Sequence, residues 1–228
     1  MQYDILHKGA FPIVECHLNR GETLKAESDA MVAMDSTIEV GGTMQGGILG
    51  GIARKLLTNE SFFLQELKAS SGNGKVIIAP TMPGDIADVE LDGSYGLIVQ
   101  KGGFLAATEG IDIETKVQNL VHGFFSGVGL FAIRMNGKGT CFVSAWGAIH
   151  ALNLAAGEEV IVDNGHLVAW HDYMDYSIEK ASSSWFSSFT SGEMLVCRFK
   201  GPGLVLIQTR NFNSFTNWIL SLLPKPKS

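Results

Sequence analysis

Leu18-Asn-Arg-Gly21-Glu22-Thr-Leu24-Lys-Ala26-Glu27-Ser-Asp-Ala-Met31-Val32-Ala33-Met34 recurs without a gap, 136 residues later, as Leu154-Ala-Ala-Gly157-Glu158-Glu-Val160-Ile-Val162-Asp163-Asn-Gly-His-Leu167-Val168-Ala169-Trp170. A more diverged copy lies between them, where Ile98 to Thr108 matches Leu24 to Met34 at an offset of 74. Each copy reads as a β-hairpin with a polar or glycine turn. A fixed internal period is the mark of a repeat architecture, so it governs every later assignment.

Two further elements recur with this unit. Gly72-Asn73-Gly74, Gly137-Lys138-Gly139 and Gly201-Pro202-Gly203 each precede an apolar strand and read as hairpin turns, glycine supplying the positive φ. Ile13 to Leu18, Gly84 to Leu91 and Gly147 to Leu154 alternate apolar and polar residues, the period of a half-buried strand. The third copy ends near Gln208 while a matching strand opens the chain, so the N-terminal strand is expected to complete the last repeat. The expectation is an all-β protein of three β-sandwich or double-stranded β-helix units in a closed pseudo-threefold arrangement, which would leave no strand edge exposed. Repeats then run over about 18–83, 84–146 and 147–209, with strand 11–18 joining the last, inside one domain of residues 1–211.

Composition supports that reading. With 46% hydrophobic and 18% charged residues the chain is no disordered segment, and 27 glycines among 228 residues without a Gly-X-Y period point to many tight turns. A net charge of −6 offers no footprint for nucleic acid, whose phosphates demand clustered Lys and Arg. Cys16, Cys141 and Cys197 are odd in number and set among apolar residues, as reduced core thiols of a cytoplasmic protein would be. No run reaches the ~20 apolar residues of a membrane span, and no signal peptide opens the chain. Beyond the β domain, Phe212, Phe215, Trp218, Ile219, Leu222 and Leu223 fall at helical spacing, giving an amphipathic helix and a basic tail over 212–228.

Candidate chemistry is sparse. His166 and His171 lie five apart on a strand and so face opposite ways, Cys16 and His17 likewise, and no Gly-x-Ser-x-Gly elbow or phosphate loop is present. No cofactor and no metal are expected, and the protein is read as a non-enzyme. The best polar set is Asp35, Glu109 and His171, which follow the hairpin in the three copies; converging near the pseudo-axis, they would line a small-molecule or catalytic pocket, the alternative reading. The other candidate is apolar. A long hydrophobic connection recurs in each unit, carrying Ile48, Leu49 and Ile52, then Phe124 and Phe125, then Trp185 and Phe186. Together with Trp218 these residues would form a contact surface for self-association, a protein partner or the face of a membrane; the alternative is that the three connections fold inward and plug the body.

The run Gly46-Gly-Ile-Leu-Gly-Gly-Ile-Ala-Arg54-Lys-Leu-Leu-Thr-Asn-Glu60-Ser61-Phe62-Phe63, the segment Pro83-Gly84-Asp-Ile86 and the ending Gly201-Pro202-Gly203-Leu-Val-Leu-Ile-Gln208-Thr-Arg210 resemble the mitochondrial-biogenesis (altered inheritance of mitochondria) family over roughly residues 5–211. The resemblance implies a fold like that of the tryptophan RNA-binding attenuation protein, a shortened double-stranded β-helix. It also implies an intracellular non-enzyme that supports membrane or complex organisation, and it carries no catalytic residue over. The chain departs from the family at Asn59, where glycine is usual, and at Gly127-Val-Gly-Leu130 and Gly192-Glu193-Met194-Leu195, where Gly-Glu-Gly-Leu is usual.

Overall fold

Val14, Cys16 and Leu18 are buried while their neighbours turn outward, which makes Ile13–Leu18 (β2) a strand with one face in a core. The same pattern fills most of the chain in the computed structural model, which describes residues 1–9, 11–43, 64–100, 102–118, 130–180 and 195–224. The protein is mostly β, with one short α-helix among the described residues, Phe212–Leu222 (α1).

The strand pairings fall into three sets with one order. In the first, Gly74–Ile78 (β7) lies between β2 and Met31–Met34 (β4), with Gln2–Leu6 (β1) outside β2. Facing this layer, Leu64–Ala69 (β6) lies between Thr23–Glu27 (β3) and Ile38–Thr43 (β5). The second set repeats both layers with one long strand, Leu130–Trp146 (β12). Its first half lies between Leu97–Gln100 (β9) and Ile111–Gln118 (β11), its second between Gly84–Asp92 (β8) and Phe104–Thr108 (β10). In the third, Gly203–Gln208 (β18) lies between Ile149–Leu154 (β13) and Leu167–His171 (β15), and Leu195–Lys200 (β17) between Glu159–Asp163 (β14) and Asp175–Lys180 (β16). Three core clusters match the three sets, built round Leu67 and Val76, round Met135 and Cys141, and round Phe199 and Val205.

These pairings correct four expectations. The repeated stretch is no hairpin: β3 and β4 are consecutive yet lie in different layers, β3 pairing with β6 and β4 with β7. Nor are the Gly-x-Gly sites hairpin turns. β12 continues through Gly137 and Gly139, at φ +113° and +150°, and passes there from one layer to the other, so the glycines make a corner. The opening strand does not complete the last repeat, because β2 pairs with β1 and β7, whereas β18 already has β13 beside it. Alternation tells which face of a strand is buried and nothing about its neighbour. Finally, Met34, Ala107 and Trp170 occupy one position, opposite Val76, Cys141 and Val205. The middle copy is therefore offset by 73, and a slip of one residue would send every side chain to the wrong face.

Consecutive sets share sheets. β10 pairs with β3 through Ala106↔Ala26, Ala107↔Lys25 and Thr108↔Leu24, and β15 pairs with β9 through Ala169↔Val99, Trp170↔Ile98 and His171↔Leu97. At the point where β10 and β15 meet β12 and β18, each carries a one-residue register shift, at Leu105 and Val168. Those two side chains are buried in the core of the preceding set, Leu105 among the residues of the first and Val168 among those of the second. Lys25 adds to the first junction by donating to the carbonyls of Glu109 and Ile111. At the second, the Asp172 carboxylate accepts from the Arg134 guanidinium at 2.9 Å and from the Gly96 amide at 2.8 Å. Val32 holds the corresponding shift in β4 but stands 60% exposed, since no strand lies beyond β4 among the described pairings.

The contrast gives a direct test by urea unfolding. Leu105→Ala removes a side chain interlocked between two sets and is expected to cost ~2–5 kcal/mol. Val32→Ala, at the same position of the first set, is expected to stay within ~0.5 kcal/mol.

Candidate functional site

The position next to Met34, Ala107 and Trp170 in register carries a polar side chain in each set. Structural equivalence puts Asp35, Thr108 and His171 there, so Glu109 is one residue beyond the set. Each of the three accepts a hydrogen bond through its side chain from the backbone N–H of the neighbouring strand. Lys75 N–H donates to Asp35 Oδ2 at 2.8 Å, Thr140 N–H to Thr108 Oγ1 at 3.0 Å, and Leu204 N–H to His171 Nδ1 at 3.3 Å. Asp35, Thr108 and His171 therefore act as caps that satisfy the last donor of a strand ladder, one in each set. Asp35 also lines a polar recess with His17, Asn73 and Lys75, while the His171 ring lies tilted against Tyr95 and Tyr173. The surroundings of the three differ, and the polar pocket foreseen from Asp35, Glu109 and His171 is replaced by this repeated cap.

The acidic residues near His171 are likewise in use. Arg134 and the Gly96 amide hold Asp172 below the ordinary carboxylate range, overcoming the opposing effect of burial. Glu179 is paired with Ser177 and Arg198. Cys16, Cys141 and Cys197 are buried and unpaired, and burial pushes each thiol up to about 12, which leaves no nucleophilic thiolate at neutral pH. Among the described residues no group of three His, Cys, Asp or Glu side chains is placed to hold a metal ion.

Two apolar features remain. A cavity of about 350 Å³ opens where the second and third sets meet the start of α1, lined by Met82, Trp146, Leu167, Val168 and Phe212. Its polar rim is engaged: Gln208 accepts from the Trp146 amide and donates to the Gly165 carbonyl, and Gln100 donates to Asn164. The second feature is α1 itself. Asn211 caps it by accepting from the amides of Asn213 and Ser214, and Phe212 and Phe215 rest on Trp146 at ring distances of 6.0 and 5.0 Å. No residue of the helix is buried; Trp218 is 56% exposed, and Leu220 and Leu222 stand open as well. At 11 residues α1 is too short to cross a membrane, and no described helix is long and apolar enough to do so.

Trp218 is thus the one member of the foreseen contact surface that the structure places. Ile48, Leu49, Ile52, Phe124, Phe125, Trp185 and Phe186 lie outside the described residues. Their three connections each join a pair of neighbouring strands, β5 to β6, β11 to β12 and β16 to β17. Sequence reasoning missed the caps because an acceptor that serves the backbone needs no particular residue type, and Asp, Thr and His have no common pattern.

Thr108→Val strands the Thr140 amide and is expected to lower stability by ~1–3 kcal/mol. A pH titration of stability reads the other cap. Burial keeps the His171 imidazole below its usual 6.5, so the unfolded chain protonates first, and stability falls as pH drops through that region. Asp172, whose value is lowered, adds a second loss below the ordinary 3.8. His171→Asn is expected to remove the first loss and leave the second.

The family model described as "Mitochondrial biogenesis AIM24" matches residues 3–210. An uncharacterised protein of Streptococcus pyogenes serotype M6 is 30% identical over 98% of this chain and 92% of its own length. The crystal structure of a Streptococcus pyogenes protein superposes with a TM-score of 0.80 at 29% identity, covering 97% of this chain and 99% of that one. With nearly its whole length matched, this chain belongs to the mitochondrial biogenesis AIM24 family.

Proposed function

We propose that the protein is a non-enzymatic scaffold: a β body of three copies of one module, related to the folds that resemble the tryptophan RNA-binding attenuation protein, which presents α1 to another protein surface. A second copy of the chain is the simplest such surface. The observation that carries this reading is the helix, seven of whose neighbourhood's large apolar side chains, Phe212 to Leu223, stay exposed on a body that has well-filled cores. Its polar residues are Asn213, Ser214, Thr216, Asn217 and Ser221, none of them charged. Helices that lie on membranes usually set Lys and Arg along the polar face, so an apolar groove on a protein suits α1 better than anionic lipid. The three apolar connections would extend the same contact surface, and the buried reduced thiols suit a cytoplasmic setting.

Sedimentation velocity of the intact chain tests this. Trp218→Ser combined with Leu222→Ser is expected to remove an association step and leave the unfolding midpoint unchanged, with neither form binding anionic vesicles. Identical sedimentation of the two forms, or vesicle binding that the double variant loses, would count against a protein contact.

The cavity beside Trp146 supports a second reading, a binding site for a small apolar molecule, since its polar rim is already satisfied. Apolar ligands are then expected to raise the melting temperature of the wild type, and Ala145→Phe, which fills the cavity, is expected to abolish the shift.

A further inference from the structure

Among the strands that pair on one side only in the described residues, two stand out. β4 pairs with β7, and β14 pairs with β17; each ends its sheet among the described pairings. They are the counterparts of the strands that join the sets. β4 corresponds to β10 and β15, whose outer edges accept β3 and β9. β14 corresponds in turn to β3 and β9. Both existing junctions use one register, and carried over it pairs Ala33 with Val162, Met34 with Ile161 and Asp35 with Val160.

The exposed side chains fit that register. Val32 occupies the position of Leu105 and Val168, which are 0% and 2% exposed because each enters the core of the set before its own. The same holds for Ala33, whose counterparts Ala106 and Ala169 are fully buried while it stands open. Met34 is 38% exposed, whereas its counterpart Trp170 is buried opposite Ile98. One strand thus carries three side chains shaped for a junction, together with a row of backbone groups that no strand pairs among the described residues, and the other carries the complementary row.

We propose that copies of this chain associate head to tail, β4 of one copy adding antiparallel to the free edge of β14 of the next, so that the sheet sharing inside the chain continues between chains. Val32 enters the third-set core of the neighbouring copy as Leu105 and Val168 enter cores within one chain. The contact is heterologous, because the two edges differ, and it builds a closed ring or a fibre according to the rotation between copies. It uses a different surface from α1.

Single-cysteine pairs test the register directly. Chains with Met34→Cys mixed with chains with Ile161→Cys are expected to give a disulfide-linked dimer under mild oxidation, the three native thiols being buried. Either variant alone should stay unlinked. A monomeric cross-link within the chain that carries both cysteines, or no cross-link in the mixture, overturns the proposal. As a second readout, Val32→Glu is expected to weaken self-association at least tenfold in sedimentation velocity without moving the unfolding midpoint, and to do so in the Trp218→Ser, Leu222→Ser background as well. Unchanged association of Val32→Glu, or a wild type that stays monomeric at every concentration, also overturns it.

Discussion

The pairing of β10 with β3 and of β15 with β9 is the constraint on which the rest of the molecule depends. A two-layer unit of about six short strands buries little apolar area, and its edge strands would be exposed to solvent. Each such join removes two edges inside the chain, and the shifted residues Leu105 and Val168 lock the joins by entering a neighbour's core. The Asp172 contacts with Arg134 and Gly96 hold the second junction from the side. A join of this kind has two different halves, so any linear series of units ends with one of each unfilled. β4 and β14 are those halves.

Much of this was legible in the residues. The recurrence of Leu18 to Met34 as Leu154 to Trp170 located the first and third sets, and the alternation at Ile13 to Leu18 marked a half-buried strand. The helical spacing of Phe212, Phe215, Trp218 and Leu222 located α1. What stayed hidden was which strand lies beside which. Consecutive strands such as β3 and β4 cross between layers, and alternation reads the same whether a strand pairs with its neighbour in sequence or with one 50 residues away. Gly137 and Gly139 read the same way as a turn or as a corner, because both ask for the same backbone freedom.

Asp35 and His171 are ionisable groups at equivalent positions, a pattern that suits chemistry at an axis. Their actual partners are backbone amides at Lys75 and Leu204, and Thr108 does the same at Thr140. A polar position that recurs in matching strand pairings is explained first by the backbone it serves, and here that explanation accounts for all three residues. Among the described residues, the outer face of α1 and the side chains of β4 are apolar and stay open.

Hydrogen exchange of the intact protein, followed by peptide mass spectrometry across a concentration series, tests the account most directly. Amides of β10, β3, β15 and β9 should be protected at every concentration, while the amides of residues 31–35 and 159–163 that point away from β7 and β17 should exchange quickly when dilute and become protected together as the protein is concentrated. Protection of 31–35 and 159–163 that does not depend on concentration, or rapid exchange throughout β10 and β15, would contradict it.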